Sequence, residues 1–318
     1  MLRRTAFGLL AAPAILSRGA QAQFNRPIRI VVPFPPGGSN DVIARPLADR
    51  LSQRLGQAVV IENRPGAGGA IGAAQVAQAA PDGHTLMLTS SSFIASAAVQ
   101  RTPYDAIASF EPVAVLARAP FVLLTNPAFA PRDVAGLIAH AKAHPGAVDF
   151  GSSGPGGINH FVTELFALRA GLRLNHIPYR GMPPAVTDLV AGHIQMLITT
   201  VASASAPMRE ERVRLLAYAA PGAPPGSPRA PTVREATGLD YEAEIWWGLL
   251  APRGVPPALV QALNQAAREA LAEPEVSRIY EAEGARPAHS PPEAFAENLR
   301  TDLARYREVA QAANIRLE

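Results

Sequence analysis

The sequence predicts an α/β protein with mainly parallel sheets, divided into two lobes. Runs rich in β-branched residues alternate with helical stretches along most of the chain, and this alternation is typical of strand–helix–strand units. A chain of 318 residues is long for one hydrophobic core and natural for two. Loops of glycine and serine follow several predicted strands, at the edge where open α/β sheets bind ligands.

The first 22 residues have the composition of a secretory signal peptide. Arg3 and Arg4 precede an apolar stretch, and small residues end the segment at Ala22. Pro13 interrupts the apolar run before it reaches the roughly 20 residues that a membrane-spanning helix needs. We therefore expect export to the periplasm with cleavage near Ala22, by either the general or the twin-arginine route, and exclude residues 1–22 from the fold.

Charge and cysteine content exclude several classes of function. The chain has 29 Lys and Arg against 26 Asp and Glu, but three of the arginines lie in the first 22 residues, which contain no acid. The exported part is therefore formally neutral and lacks the basic excess of a nucleic-acid-binding protein. The absence of cysteine excludes disulfides, thiolate catalysis and thiolate metal ligands.

The first strand and helix enclose a loop of prolines and glycines, Pro35-Pro36-Gly37-Gly38-Ser39. Residues 28–34 (IRIVVPF) form a β-branched run typical of a buried parallel strand. After the loop, apolar residues recur at every fourth position and predict one helical stripe, at Ile43, Leu47, Leu51 and Leu55. Ser39 is expected to cap this helix, Gly56 to end it, and Pro46 to kink it or delay its start.

The same pattern of strand, loop and helix recurs further along the chain, in residues 58–80, 84–92, 148–171 and 174–200. A later strand contains Trp246 and Trp247, of which side-chain alternation lets at most one face a cleft. Residues 258–276 then predict an outer helix.

Three of the predicted loops have similar chemistry: residues 35–39, 89–92 and 151–157. Glycine lets the backbone approach a ligand closely, and the free N–H groups of a helix's first turn favour an anion. Serine hydroxyls add hydrogen-bond donors without charge. These loops predict a site for a carboxylate.

Other kinds of site fit the sequence less well. Residues 66–72 resemble a dinucleotide-binding fingerprint, but the third glycine is one place late. Lys142 is the only lysine, and no glycine precedes it as in a phosphate-binding loop. His140 and His144 have metal-ligand spacing on a predicted helix but no visible third ligand. We therefore predict no cofactor and no metal.

A serine hydrolase is the alternative function. Ser153 lies in a Gly-Ser-Ser-Gly-Pro segment that fails the Gly-x-Ser-x-Gly pattern at its last position. His160 is nearby as a candidate base, but no acid is evidently placed to orient it. A periplasmic hydrolase that uses Ser153 or Ser91 with a histidine, acting on a small ester or amide, remains open at this point.

Six separated motifs resemble one known family. They are VVPFPPGGSNDVIARPLA, VVIENRPGAGGAIGA, PDGHTLML, FGSSGPGGINHFVTELF, HIPYRGMPPAVTDLVAGHIQ and WWGLLAPRGVP. In this order they cover nearly the whole exported chain, and they resemble the Bug family. These are the extracytoplasmic solute receptors of tripartite tricarboxylate transporters, whose best-known branch is called TctC.

The resemblance implies a non-catalytic receptor with a two-lobed periplasmic binding protein fold, type II-like. Each lobe would be a mainly parallel sheet flanked by helices, and the lobes would close on a small carboxylate about a hinge. We expect residues 23–120 and 218–318 to form lobe 1 and residues 121–217 to form lobe 2. The expected partners are the carboxylate and the membrane subunits of a transporter, with no nucleic acid, and the receptor is expected to be a monomer.

The loops and the resemblance together give one set of candidate ligand-binding residues. They are Phe34, Pro36, Gly37, Gly38, Ser39, Asp41, Thr89, Ser90, Ser91, Ser152, Ser153, Gly154, His160, Tyr179, Arg180, Gly181 and Thr199. Arg180 could contribute a positive charge for a second carboxylate, or could pair with an acid of its own lobe. Many relatives have an Asp-Asn pair where this chain has Thr199-Thr200, which favours a carboxylate without an amine, or an aromatic acid.

Overall fold

The computed structural model describes residues 24–223, 225, 227–282 and 284–315. The predicted signal peptide lies outside the described residues. The strands are β1 (Ile28–Val32), β2 (Val59–Asn63), β3 (Thr85–Ser90), β4 (Phe110–Thr125), β5 (Asp149–Ser152), β6 (Asn175–Pro178), β7 (Met196–Thr200), β8 (Arg214–Tyr218), β9 (Glu244–Pro252) and β10 (Arg286–Pro287).

The helices alternate with the strands, as the sequence predicts. They are α1 (Ser39–Leu55), α2 (Ala70–Ala77), α3 (Ser91–Val99), α4 (Val134–Ala143), α5 (Ile158–Ala170), α6 (Met182–Ala191), α7 (Val201–Arg209), α8 (Val233–Thr237), α9 (Pro257–Leu271), α10 (Pro274–Ala282) and α11 (Pro292–Ala312). Among the helices of the described residues, none combines the length and the hydropathy needed to cross a bilayer.

The strands form one sheet path in the order β2-β1-β3-β9-β4-β7-β5-β6, with β8 and β10 also paired to β4. Strands β1, β2 and β3 are parallel to one another, and so are β5, β6 and β7. Strand β4 pairs antiparallel with β9 on one side of the path and with β7 on the other. Each half therefore has a core of three parallel strands, and antiparallel pairs with β4 and β9 extend these cores. The sheets are mixed, and not mainly parallel as expected.

Strand β4 belongs to both halves. Its first part, from Phe110 to Pro120, pairs with β9, and its last five residues, from Phe121 to Thr125, pair with β7 and β8. The chain crosses again beside it, where Ala243 donates its N–H to the carbonyl of Ala219 at 3.0 Å. These crossings join two lobes, and the two-lobed α/β architecture is confirmed.

Helix α1 differs from its prediction in its first turn. Gly38, with φ −80° and ψ 169°, is the N-cap residue, and Ser39 is the first helical residue, so no side chain caps the helix. The helix starts there without delay and continues past Pro46 to a left-handed Gly56, where the sequence places its end. Because Pro46 has no N–H, the helix continues through it with one hydrogen bond fewer.

The glycines of residues 66–72 have a packing role. A Cβ atom on Gly72 would lie 2.8 Å from the Arg64 carbonyl oxygen and 2.9 Å from Pro33 Cβ, and one on Gly69 would meet the Phe34 ring at 3.4 Å. Larger residues would push this segment away from the end of β1. The glycines therefore brace the residues that lead into the loop 35–39.

The two tryptophans of β9 are both buried, each 2% exposed. Trp246 Nε1 donates to Asp302 Oδ2 of α11 at 2.7 Å, and its ring meets the Phe295 ring edge-on at 5.1 Å. Gly248 lies beneath the same phenylalanine, because a Cβ atom there would be 2.3 Å from Phe295 Cζ. Helix α11 thus packs closely against β9 at Gly248, where a larger residue would clash with Phe295.

We expect Gly248→Ala to lower the free energy of unfolding by about 1 to 3 kcal/mol, since the added methyl group overpacks the β9–α11 contact. Denaturant unfolding of the wild type, Gly248→Ala, Phe295→Leu and the double variant measures the coupling. In the double variant the smaller leucine side chain leaves room for the added methyl group. Gly248→Ala should therefore lower the free energy of unfolding less in the Phe295→Leu background than in the wild type. Strictly additive effects would contradict the proposed clash.

Candidate ligand-binding site

The candidate residues lie at the carboxyl ends of strands in both lobes. In lobe 1, the loop 33–38 follows β1, and Ser90 ends β3. In lobe 2, the loop 153–157 follows β5, residues 179–181 follow β6, and Thr200 ends β7. Each of these ends leads into the N-terminus of a helix, so that first-turn N–H groups lie beside the candidate residues.

Asp41 holds the lobe 1 loop in shape. Its carboxylate accepts a hydrogen bond from the Gly37 N–H at 3.0 Å, two from the Arg45 guanidinium at 2.8 and 2.9 Å, and one from Asn63 Nδ2 at 3.0 Å. Asn63 also donates to the Phe34 carbonyl at 3.2 Å. With both oxygens occupied and the residue 3% exposed, Asp41 supports the loop from beneath.

The charge of Asp41 is retained despite its burial. Burial by itself raises the pKa of this carboxyl, but the hydrogen bonds from Arg45, the Gly37 N–H and Asn63 outweigh it and hold the pKa below its ordinary value. The Asp41 carboxylate is therefore ionised at neutral pH, and Arg45 neutralises it.

The tip of the lobe 1 loop presents mainly backbone. Pro36, Gly37 and Gly38 are exposed, whereas Phe34 and Ser39 are half-buried. Gly37 has φ +78°, a left-handed conformation that glycine adopts without strain. Gly38 is extended, and the helix that begins after it directs its first N–H groups toward the loop.

The serines after β3 do not form a loop. Strand β3 ends at Ser90 and α3 begins at Ser91, so the predicted loop 89–92 is a direct turn from strand to helix. Ser90 lies opposite Trp247, and Thr89 lies opposite Gly248, beneath α11. Because neighbouring strand residues face opposite sides, Thr89 and Ser90 cannot both face the same ligand.

Several buried polar groups near these strand ends have no hydrogen-bond partner within the described residues. They are the hydroxyls of Thr89, Ser90, Ser91 and Thr199 and the Oδ1 atom of Asn40. The Ser91 hydroxyl lies beside the Tyr306 phenol, short of full hydrogen-bond geometry. A buried polar group without a partner is costly, so a ligand or water is expected at some of them. Asn40 was not among the residues predicted from the sequence.

The lobe 2 loop is held by side chains of its own lobe. Ser152 Oγ accepts the Gly154 N–H at 3.1 Å and lies 2.6 Å from His176 Nε2. Ser153 lies 3.4 Å from Asn159 Oδ1, and Asn159 Nδ2 donates to the Ile198 carbonyl of β7 at 2.9 Å. The loop is therefore tied to both neighbouring strands, β6 and β7.

His160 lies in the first turn of α5, as expected, and is buried at 7% exposure. Its Nδ1 accepts the Gly156 N–H at 3.3 Å, and its Nε2 lies 3.7 Å from Glu164 Oε1. The sequence showed no acid placed to orient His160, but Glu164, one helical turn later, lies on the same face.

The geometry gives no support to the hydrolase alternative. Ser152 has a histidine at hydrogen-bond distance, but its side chain is fully buried and also bonded to the loop backbone. Ser153 lies beside an asparagine, and Ser91 is fully buried beside a tyrosine. A nucleophile must reach its substrate and its base together, and none of the three does so.

Three candidate residues follow β6, and they differ in their contacts and exposure: Tyr179, Arg180 and Gly181. The Tyr179 hydroxyl donates to Asp188 Oδ2 of α6 at 2.7 Å, and burial together with this bond raises the pKa of the phenol. Arg180 is exposed and makes no ion pair within the described residues. Gly181, with φ +103°, is the N-cap of α6. Arg180 is therefore the side chain of the three that is available to an anion.

The two histidines with metal-ligand spacing, His140 and His144, lie at the C-terminal end of α4. His144 Nδ1 lies 3.1 Å from the carbonyl oxygen of His140, one turn earlier. Across the part of the chain that the structure describes, no group of three or more His, Cys, Asp or Glu side chains could hold a metal ion.

Comparison with known proteins identifies the family. The model of the "Tripartite tricarboxylate transporter family receptor", TctC, matches residues 43–315. The BugT protein of Bordetella pertussis is 37% identical over 296 residues, which cover 92% of this chain and 91% of BugT.

Two similar solved structures contain carboxylates. Rpa4515 of R. palustris with adipate is 33% identical, with a TM-score of 0.80 over 92% of this chain and 98% of that chain. MatC from Rhodopseudomonas palustris with bound malate is 32% identical, with a TM-score of 0.75 over 89% of this chain and 98% of that chain. The family consists of periplasmic solute receptors rather than enzymes. This chain, which carries the family's fold and matches its model over most of its length, belongs to the TctC/Bug family of tripartite tricarboxylate transporter receptors.

Proposed function

We propose that this protein captures a small dicarboxylate in the periplasm and delivers it to the membrane subunits of a tripartite tricarboxylate transporter. It is exported with cleavage near Ala22 and acts as a monomer. Lobe 1 comprises residues 23–120 and 218–318, and lobe 2 comprises residues 121–217. The acid lies between the two lobes.

The pairing of two glycine loops carries this proposal. In each lobe, a parallel strand ends in such a loop. The loop leads into the N-terminus of α1 in lobe 1 and of α5 in lobe 2. Helix α3, which starts at the end of β3, packs against α5 across the lobes. In this proposal the two sets of backbone donors face one space, an arrangement that suits the two oxygens of a carboxylate.

The charges of the candidate residues favour an anion. Asp41 is neutralised by Arg45, while Arg180 is exposed and without an ion pair within the described residues. The remaining candidates at the two loops are neutral backbone and hydroxyl groups. Because Arg180 offers a positive charge for a second carboxylate, we expect a dicarboxylate to bind more tightly than a monocarboxylate. The adipate and malate of the two solved relatives support this class of ligand.

Isothermal titration with adipate, malate and acetate tests the function. We expect saturable binding of a dicarboxylate in the micromolar range, worth roughly 8 kcal/mol, without turnover. A few charge-assisted hydrogen bonds, each worth about 1.5 to 3 kcal/mol, are enough for this affinity. Release of product from a small ester, or heat effects no larger than those of acetate, would reject the proposal.

Gly38→Val tests the lobe 1 loop. A Cβ atom at Gly38 meets only the Pro35 carbonyl oxygen, at an ordinary 3.5 Å, and the backbone is extended. The variant should therefore keep the melting temperature of the ligand-free protein while its branched side chain blocks the loop backbone and weakens dicarboxylate binding at least tenfold, about 1.4 kcal/mol.

Gly37→Val is the matched control for Gly38→Val, since its φ of +78° makes a β-branched residue strained. It should lower the melting temperature as well as the affinity. Unchanged ligand affinity in folded Gly38→Val would show that this loop does not contact the ligand.

Arg180→Gln tests the second carboxylate. We expect the dicarboxylate to bind roughly ten- to a hundredfold more weakly, as for loss of a charged hydrogen bond, with an unchanged melting temperature. Arg173→Gln is the control, because Arg173 is also exposed but precedes β6, at the opposite edge of the sheet. Equal losses of affinity in the two variants would point to general charge and not to contact with Arg180.

A further inference from the structure

Two imidazole rings lie beneath the lobe 2 loop. His160 of α5 and His176 of β6 stack with ring centroids 3.8 Å apart and planes inclined by 17°. Phe150, the register partner of His176 in β5, also stacks on it, at 4.9 Å and 18°. Because like charges at this distance repel strongly, the pair holds at most one proton beyond its neutral state.

Each ring contacts one turn of the loop. The Gly156 N–H donates to His160 Nδ1, and His176 Nε2 lies against Ser152 Oγ, which accepts the Gly154 N–H. Gly154 and Gly156 have φ values of +127° and +68°. Glycine adopts such positive φ values without strain, but it loses more conformational entropy on folding than any other residue. The hydrogen bonds to the two histidines hold these glycines in one shape of the loop.

The hydrogen bond from Gly156 defines the protonation state of His160. Its Nδ1 accepts a hydrogen bond and so carries no proton, which makes the ring neutral with its proton on Nε2. Protonation at Nδ1 replaces this acceptor with a donor, and the buried Gly156 N–H then loses its partner. The loop as observed therefore requires a neutral His160.

Other ionisable groups lie close to the two rings. Burial and the nearby His160 lower the pKa of His176 to about 4, so His176 stays neutral near neutral pH. Glu164, on the same helix as His160, lies with its Oε1 atom 3.7 Å from His160 Nε2. Helix α3 and strand β7, which pack against α5, contribute no titratable side chain, and α11 meets α5 through the Tyr306 ring against Phe161. Strand β5 also packs against α5 and contributes Asp149, at the first position of the strand, whose carboxylate accepts a hydrogen bond from Asn175 Nδ2 at 2.6 Å.

We propose that His160 and His176 are positioning residues that shape the lobe 2 loop for its ligand, and that protonation of His160 weakens carboxylate binding as the pH falls. The ligand-binding half of this proposal rests on the proposed function. The loop half concerns the ligand-free protein alone, and the two halves are measured separately.

The loop half is tested by NMR on ligand-free, ¹⁵N-labelled protein. Between about pH 8 and about pH 6, where histidines titrate, the amide resonance of Gly156 should shift in the wild type. It should stay constant in His160→Asn, or in His160→Gln if the first variant does not fold. His144→Asn, which removes an exposed histidine of the same lobe, should keep the wild-type titration. A wild-type Gly156 resonance that ignores pH would overturn the proposal.

The ligand half is tested by the Kd of malate over the same range, where carboxyls with ordinary pKa values stay ionised. The wild type and His144→Asn should bind roughly three- to tenfold more weakly at the lower pH, as for loss of one hydrogen bond. The Kd of malate for His160→Asn should not depend on pH. If it changes with pH as much as the Kd of the wild type does, the proposal is overturned. If Gly156 titrates but malate and adipate bind at no pH, the loop role is supported and the proposed function fails.

Discussion

Strand β4 is the constraint on which the rest of the structure depends, because it is paired in both lobes. Its first part pairs with β9 and its last five residues pair with β7 and β8. A continuous strand fixes the direction and register of both sheets at once, and it sets which edges carry the carboxyl ends of the parallel strands. Any closure of the lobes therefore bends β4 near Pro120 and Phe121, where its partners change.

The two loops have similar shapes but are supported by different kinds of group, a charged side chain in lobe 1 and uncharged side chains in lobe 2. The lobe 1 loop is fixed by an ionised Asp41, which Arg45 neutralises and which accepts a hydrogen bond from the Gly37 N–H. The lobe 2 loop is fixed by uncharged groups, the stacked His160 and His176. The first support is stable over a wide pH range because the Asp41 carboxyl has a lowered pKa. The second depends on the hydrogen bond that the Gly156 N–H donates to the unprotonated Nδ1 of His160.

Local patterns predicted the elements well where one chain segment decides the outcome. The β-branched run at residues 28–34 predicted β1, and the four-residue spacing of leucines with Gly56 predicted α1. The Asp41–Arg45 pair was not predicted, although its residues are four apart on the same helix. The 16-residue β4 was harder to predict, because Pro112 and Pro120 interrupt its run and proline is normally confined to strand edges and bulges. The pairing of β4 indeed shifts register after Pro112.

Contacts between distant segments could not be predicted from spacing. The His160–His176 stack depends on the register of β5 against β6, which sets His176 beside Phe150. The packing role of the glycines in residues 66–72 depends on how closely they approach Pro33 and Phe34. Sequence periodicity reports which face of an element is buried, but not which distant element covers it.

The proposed recognition of a carboxylate through the backbone of two glycine loops would have an evolutionary consequence. Every residue has an N–H group except proline, so substitutions around the site can change its size, charge and partners without removing the donors for the first carboxylate. On this proposal the loops would act as a constant part of the receptor, and positions such as Arg180 and Thr199 would be free to vary. A family built in this way can acquire new acids by a few side-chain replacements, with the fold and the common anchor left intact.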